Sequence, residues 1–478
     1  MVAQALLGHY GEHSNQVASE LAGLFETARD PERAAEFYAQ AAQNATQVFA
    51  HAEAVALARR GLAQVQVLRE SDDRDRLELR LQLTMGLSFA RGYTSAESGK
   101  SLSRARELCL KLGEHAALCR ALVGMAAHAL VGKGGYEVTH QLAEELLALT
   151  RDAHDPFLLV GVHGVMGFML GYHGEPVLAY EHLKRAISFF NPDLSRNYKT
   201  FYGLNPGIYS MGQAARILWR LGYADQARRR IVEAMALAAK DQDTRTLAFA
   251  HWCVAHLHLD LAEAEELQKS AEEGIAHCNK YGIMTEPLWL TVVLGWAIAE
   301  RGARVEGIDI MRDGLNDLRA AGSGMMFPLF CTLMADQLAK AGRTEECAAV
   351  LDEGFRMVEE NGQHYWDAEL YRHRGELLEL VRQQKNCQTA AATTEHSGPD
   401  LPTSTNAEGC FREALAIACQ QGAKSLELRA ATSLARLLQN QGRKHEAKSL
   451  LANVYNWFTE GFDTADLRKA KALLEELV

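Results

Sequence analysis

WRLGYADQA, Trp219 to Ala227, closes one helical pattern and opens another around a single glycine, Gly222. The junction recurs. Forty residues on stands Ala262, and Gly302 and Gly342 follow at the same interval. Five residues past these four anchors lie Ala227, Leu267, Gly307 and Cys347, and nine past lie Ile231, Ala271, Met311 and Leu351. Twelve past lie Ala234, Gly274, Gly314 and Gly354. Offsets of five, nine and twelve fall on one face of an α-helix. The small residues at the last offset should sit where the second helix of a pair presses on the next pair. Each forty residues is therefore a unit of two antiparallel helices joined by a glycine turn.

The frame extends in both directions. Gly134 and Gly174 are forty apart, and Ala179, Leu183 and Ala186 follow the second at the same offsets. Gly174 and Gly222 are 48 apart, an insertion of eight that maps to Asn191–Gly207, NPDLSRNYKTFYGLNPG. Gly442 carries Ala447, Leu451 and Val454. It lies 100 past Gly342, and the surplus matches Lys385–Asn406, a segment without apolar periodicity that reads as a disordered loop. Asp30-Pro31 reads as an N-cap with proline at N1. The expected organisation is lead-in helices over 1–45, a solenoid over 46–384, a loop over 385–406 and closing repeats over 407–478. One pair cannot bury its own apolar face, so some ten pairs should stack into a right-handed superhelix. The fold class is an all-α solenoid.

Composition agrees. Proline totals 9 of 478 residues, with none between Pro31 and Pro156, so the regular turn chemistry of sandwiches and barrels is missing. Leu158–Leu170 is an apolar stretch, but it is broken by His163 and too short to span a membrane. Net charge is −11, which offers nucleic acid no attracting field, and Arg228–Arg230 is too small a cluster to track phosphates. Nine cysteines without a CxxC, and a start lacking a basic signal region, point to a reduced, cytoplasmic protein.

The offsets resemble the tetratricopeptide pattern with longer helices. DPERAAEFY (Asp30–Tyr38), Gly92-Tyr93, RARELC (Arg104–Cys109), AELYR (Ala368–Arg372), GELL (Gly375–Leu378), AKSLELR (Ala423–Arg429) and YNWFTEGFD (Tyr455–Asp463) carry a closer resemblance. They are similar to the helical tail of bacterial signalling proteins that join an adenylate/guanylate cyclase or kinase domain to a STAND-type ATPase, and to MalT-like regulators. The resemblance implies a non-catalytic module whose relatives carry their catalytic domains upstream. It implies a protein or peptide partner in a concave groove, or a small-molecule inducer. Neither a cofactor nor a metal is expected.

Two motifs look catalytic and are not. Gly99-Lys100-Ser101 lacks the earlier glycine of a phosphate loop, having Thr94 there. His256-Leu-His258-Leu-Asp260 lies within a helix, where residues two apart point some 200° apart and cannot share one ion. In tetratricopeptide arrays the first helix of each pair lines the concave face, through positions that map six and ten before the anchor. Here these include Arg216, His256, Trp296 and Asp336 at the former and Trp252 at the latter, with Tyr209 and Trp289 three further back. Arg372 and Glu376 complete the candidate groove. Trp252 and Trp289 fit a core equally well. A peptide-binding array should show an open polar groove, whereas an inducer receptor should show a closed aromatic pocket.

Overall fold

The computed structural model describes residues 2–48, 50–88, 96–131, 135–150, 155–391 and 406–477. Among these residues the chain is helical, and no strand is present. The chain is a tetratricopeptide-like α-solenoid. Its helices are α1 (Val2–Tyr10), α2 (Ala18–Thr27), α3 (Pro31–Gln47), α4 (His51–Val65), α5 (Asp72–Leu87), α6 (Ala96–Leu112), α7 (His115–Val131), α8 (Gly135–Thr150), α9 (Pro156–Tyr172), α10 (Pro176–Phe189) and α11 (Ser195–Tyr202). There follow α12 (Pro206–Arg220), α13 (Ala224–Asp241), α14 (Thr244–Asp260), α15 (Ala264–Tyr281), α16 (Thr285–Glu300), α17 (Arg304–Ala320) and α18 (Phe327–Lys340). The last are α19 (Thr344–Asn361), α20 (Asp367–Ala391), α21 (Ala407–Gln421), α22 (Lys424–Asn440), α23 (Lys444–Tyr455) and α24 (Ala465–Glu476). No described helix is long and apolar enough to cross a membrane. They form two compact units, Met1–Val165 with Phe189–Gly207, and Met166–Ser188 with Ile208–Val478.

In the first unit, Asp30 caps α3 by accepting from the Arg33 N–H, and Pro31 occupies the first turn, as the sequence predicts. Ala34, Ala35, Ala41 and Ala42 are buried around Tyr38, whose hydroxyl donates to Glu26 at 2.8 Å. Gly99–Ser101 lie in the first turns of α6, with Ser101 buried. A helical backbone there cannot wrap a phosphate. The Asn191–Gly207 insertion forms a 3₁₀ turn and α11. Gly134 lies outside the described residues.

In the second unit the repeat anchors hold the turn between paired helices. Gly222 has φ +95°, a left-handed conformation that glycine adopts without steric cost. Where the frame supplies alanine, the turn does not change: Ala262 has φ +57°. Ala227, Ala234, Leu267, Ala271, Met311 and Leu351 are all buried, so the offsets predicted from the period mark the packed face. Offset twelve needs a refinement. A Cβ on Gly274 or Gly354 would meet both the first helix of its own pair and that of the next, whereas one on Gly314 would meet Val292 of its own pair. A close crossing joins α16 to α17, where a Cβ on Gly307 would fall on the Gly295 carbonyl.

The array of this unit returns on itself. Ser425 Oγ donates to the Trp219 carbonyl at 2.5 Å, and Arg228 pairs with Asp463 at 3.0 Å. The Gln226 N–H donates to Glu460 at 3.0 Å, and His173 Nδ1 lies 2.7 Å from the Gly362 carbonyl. One expected boundary moves. Helix α20 runs on to Ala391, into the segment expected to be loop. The rest of that segment, 392–405, lies outside the described residues.

Candidate functional site

First helices of the second unit face its interior, and the candidate groove residues divide into two groups. Arg216, Trp252, His256 and Trp289 are buried, with His256 and Trp252 fully so. An open groove at these positions is therefore corrected to a packed interior. Rings from distant pairs fill the space. Trp252 lies 5.4 Å from Trp289 and 6.4 Å from Phe330, and Tyr172 lies 5.0 Å edge-on to Tyr365. Tyr209 is half-buried and stacks on Phe249 at 4.1 Å.

Charges are buried among these rings. Arg216 donates to the Tyr172 hydroxyl at 2.9 Å and to Gln213 at 3.0 Å. Arg220 donates to the Gly171 carbonyl at 3.0 Å and lies over the Tyr365 ring. Burial and these two guanidinium groups hold His256 neutral, well below its ordinary pKa. Burial also pushes Asp260 up, to about 7, against the pull of Arg216 and Arg220. His256 and Asp260 approach at 3.7 Å along one helix face, while His258 points away to Glu263 at 2.7 Å. The metal motif is thus dispersed by helical geometry. Among the described residues no group of metal-ligating side chains converges.

The second group lines a cavity. Trp296, Asp336, Arg372 and Glu376 open onto a space of about 890 Å³ that reaches from Asp260 to Lys469. On α20, Glu369, Arg372, His373, Glu376, Leu380 and Gln383 follow one face, an i, i+3, i+4, i+7 stripe. Arg372 grips Glu369 with two bonds of 2.7 and 2.8 Å and reaches Glu376 at 2.5 Å. Arg429 binds Asp466 at 2.7 Å and approaches Glu369 at 3.5 Å, tying α20, α22 and α24 together. Burial raises the Glu369 pKa, but the Arg372 and Arg429 charges outweigh it and hold the group down at about 2. Across the cavity the Trp296 indole donates to Asp336 at 3.2 Å, and Asp336 also accepts from Lys340 at 2.9 Å. Trp366 also lines the cavity, its own indole donating to Thr332 at 2.8 Å.

Sequence reasoning did not single out Glu369, His373, Arg429, Asp466, Lys340 or Trp366. A signal existed for the α20 group. Charges at 369, 372, 373 and 376 fall at i, i+3, i+4 and i+7, on one face of a single helix, where a packed helix would carry apolar residues. Every cysteine that the structure describes is a free thiol, and all but Cys419 are buried.

No family model matches the chain. An uncharacterized protein of Rhizobium meliloti (strain 1021) is 25% identical over 312 residues, which cover 63% of this chain. The match spans 28% of that relative's length. The Rap protein complexed with Competence and Sporulation Factor has a similar fold, with 12% identity and a TM-score of 0.47, covering 82% of this chain and 99% of that one. The human IFIT1 dimer with m7Gppp-AAAA gives 14% identity and a TM-score of 0.44, covering 97% of this chain and 89% of that one.

Proposed function

We propose that the chain is a non-catalytic interaction and regulatory module, and that the second unit seats a segment of a protein partner in the Trp296–Glu376 cavity. The carrying observation is the α20 stripe. Guanidinium and carboxylate groups, already ordered by one another, stand opposite an indole in a concave space of about 890 Å³. Preordered polar groups of both signs suit the alternating donors and acceptors of an extended backbone. The size also suits a small molecule, and the Trp296 and Trp366 rings in the lining favour an inducer as the second reading.

The resemblance to cyclase- and ATPase-linked tails supports a sensor role within a larger signalling protein. The long curated relative, of which the match spans 28%, is consistent with that setting. A cyclase or ATPase reading frame fused upstream in the genome would test it.

The binding reading is tested by panning a random dodecapeptide library on the full chain. Enriched peptides should shift the tryptophan emission and lose binding in Trp296→Ala and Asp336→Lys. Peptides that bind both variants as well as the parent would remove the cavity from the proposal. A chain that enriches no peptide, yet shifts its emission with a metabolite extract, would favour the inducer reading.

A further inference from the structure

Asp260 ends α14 where the packed interior of the second unit borders the Trp296–Glu376 cavity. Its side chain is 2% exposed, and its Oδ1 accepts no hydrogen bond among the described residues. His256 lies within ion-pair distance, at 3.7 Å, but that imidazole is held neutral. Tyr365 stands near as a phenol that burial keeps neutral. Arg216 and Arg220 on α12 and Arg429 on α22 attract the carboxylate, and Asp466 on α24 repels it. All three guanidinium groups direct their hydrogen bonds elsewhere. Arg216 donates to Tyr172 and Gln213, Arg220 to the Gly171 carbonyl, and Arg429 to Asp466 and the Asp260 main-chain carbonyl.

The cavity is short of cations. Its described lining carries seven carboxylates against five Lys and Arg side chains. Arg372 is shared by Glu369 and Glu376, Arg429 by Glu369 and Asp466, and Lys340 by Asp336 and Glu300. Arg436 turns to Glu476, outside the lining, and Lys469 is exposed on α24. A buried carboxylate oxygen that accepts no bond is costly, so a charged donor brought to it is favoured. Trp296 and Trp366 add ring faces that attract cations.

We propose that the partner segment inserts a basic side chain, Lys or Arg, into this cavity and pairs it with Asp260. Such pairing rests on the cavity being a peptide site. Burial pushes the Asp260 pKa up to about 7, so near neutral pH the free protein carries it partly protonated. A hydrogen-bonded cation favours the ionised carboxylate and draws that value down again. Binding should therefore release a proton and tighten as pH rises through 7, by about tenfold between pH 6 and pH 8.

Random dodecapeptides panned on the full chain at about pH 8 provide the probes. Those whose binding depends on Trp296 should share a Lys or an Arg. Replacing that residue with norleucine or citrulline, respectively, should weaken binding to the parent roughly tenfold or more. The same replacement should cost much less against Asp260→Asn. Calorimetry at about pH 6.5, in two buffers of different ionisation enthalpy, should show proton release with the basic peptide. Should Asp260→Asn lose its circular dichroism, that proton release and the pH dependence of the parent test the pairing by themselves. His373 also lines the cavity, and a pH dependence that persists in Asp260→Asn would belong there and count against the pairing. Peptides that need Trp296 but share no basic residue would overturn the pairing and leave the peptide site standing. Equal losses in the parent and in Asp260→Asn, or binding without proton release, would do the same. If no peptide is enriched, the pairing and the peptide site fall together.

Discussion

Arg216 and His256 occupy the same repeat position one period apart, and the guanidinium Nη2 of the first lies 3.2 Å from Nε2 of the second. Both are buried. Removing one member of a buried charged network leaves the others unpaired, at a typical cost of about 3–5 kcal/mol. Urea unfolding of Arg216→Ala should show a loss of that order. Asp336 holds the same repeat position but is 21% exposed at its side chain and borders the cavity. Asp336→Ala should cost about 1 kcal/mol or less. Equal losses from the two would mean that water reaches Arg216.

Ala262 offers a stabilising change. An L-residue in the left-handed region costs about 1–2 kcal/mol, while a glycine costs about 0.4–1 kcal/mol through the unfolded chain. Ala262→Gly should therefore raise stability by about 0.5–1 kcal/mol. The reverse change, Gly302→Ala, has φ +112° and nothing within 4 Å of the new Cβ. It should destabilise through conformation alone. A melting temperature that moves the same way for both would contradict this account.

The α16–α17 crossing separates two glycines of the repeat. A methyl at Gly307 meets the backbone at Gly295 and Ala299, which cannot yield without moving a helix. One at Gly314 meets the Val292 Cγ2 at 2.8 Å, a side-chain atom that can shift. Alanine also returns about 1 kcal/mol of helix propensity in each case. Gly307→Ala should thus lose about 3 kcal/mol and Gly314→Ala about 1 kcal/mol or less by chemical denaturation.

Glu369 gives the α20 network a pH signature. Its folded pKa of about 2 lies below the ordinary carboxyl value of 4.5, so its contribution is complete above pH 4.5 and lost as pH falls towards 2. The contribution is about 3 kcal/mol. Glu369→Gln should therefore be less stable than the parent at pH 7, and the gap should narrow between pH 4.5 and 3. A gap constant over that range would show that Glu369 is not held ionised by Arg372 and Arg429.

The repeat was legible because it is local. Spacings of five, nine and twelve around Gly222 are set within one helix pair, and the buried side chains follow them. The site was legible only in part, since it is made by pairs that meet across the interior. Nothing near Arg216 in sequence announces that Tyr172 will meet it, or that Tyr365 will cover Arg220, so position −6 read as a groove at every repeat. In fact the aromatics close that face at Arg216 and His256, whereas Asp336 stays partly exposed and borders the cavity beside the buried Trp296. Arg429 joins Asp260 through its carbonyl at 2.7 Å across 169 residues, a pairing that no periodicity encodes.

The bonds by which the second unit returns on itself set a schedule for its synthesis. Arg228 and Asp463 are 235 residues apart, and Trp219 waits 206 residues for Ser425. A ribosome adding roughly 5–20 residues per second needs roughly 10–50 s to deliver the second partner of the longer pair. During that interval the faces later covered by α22 and α24 stand open, with aromatic and charged side chains exposed to water. An ordinary repeat array stabilises each pair as its neighbour appears, but here the last pairs complete the first. The nascent chain therefore spends its most adhesive moments before its final helices emerge, and chaperone demand should peak there.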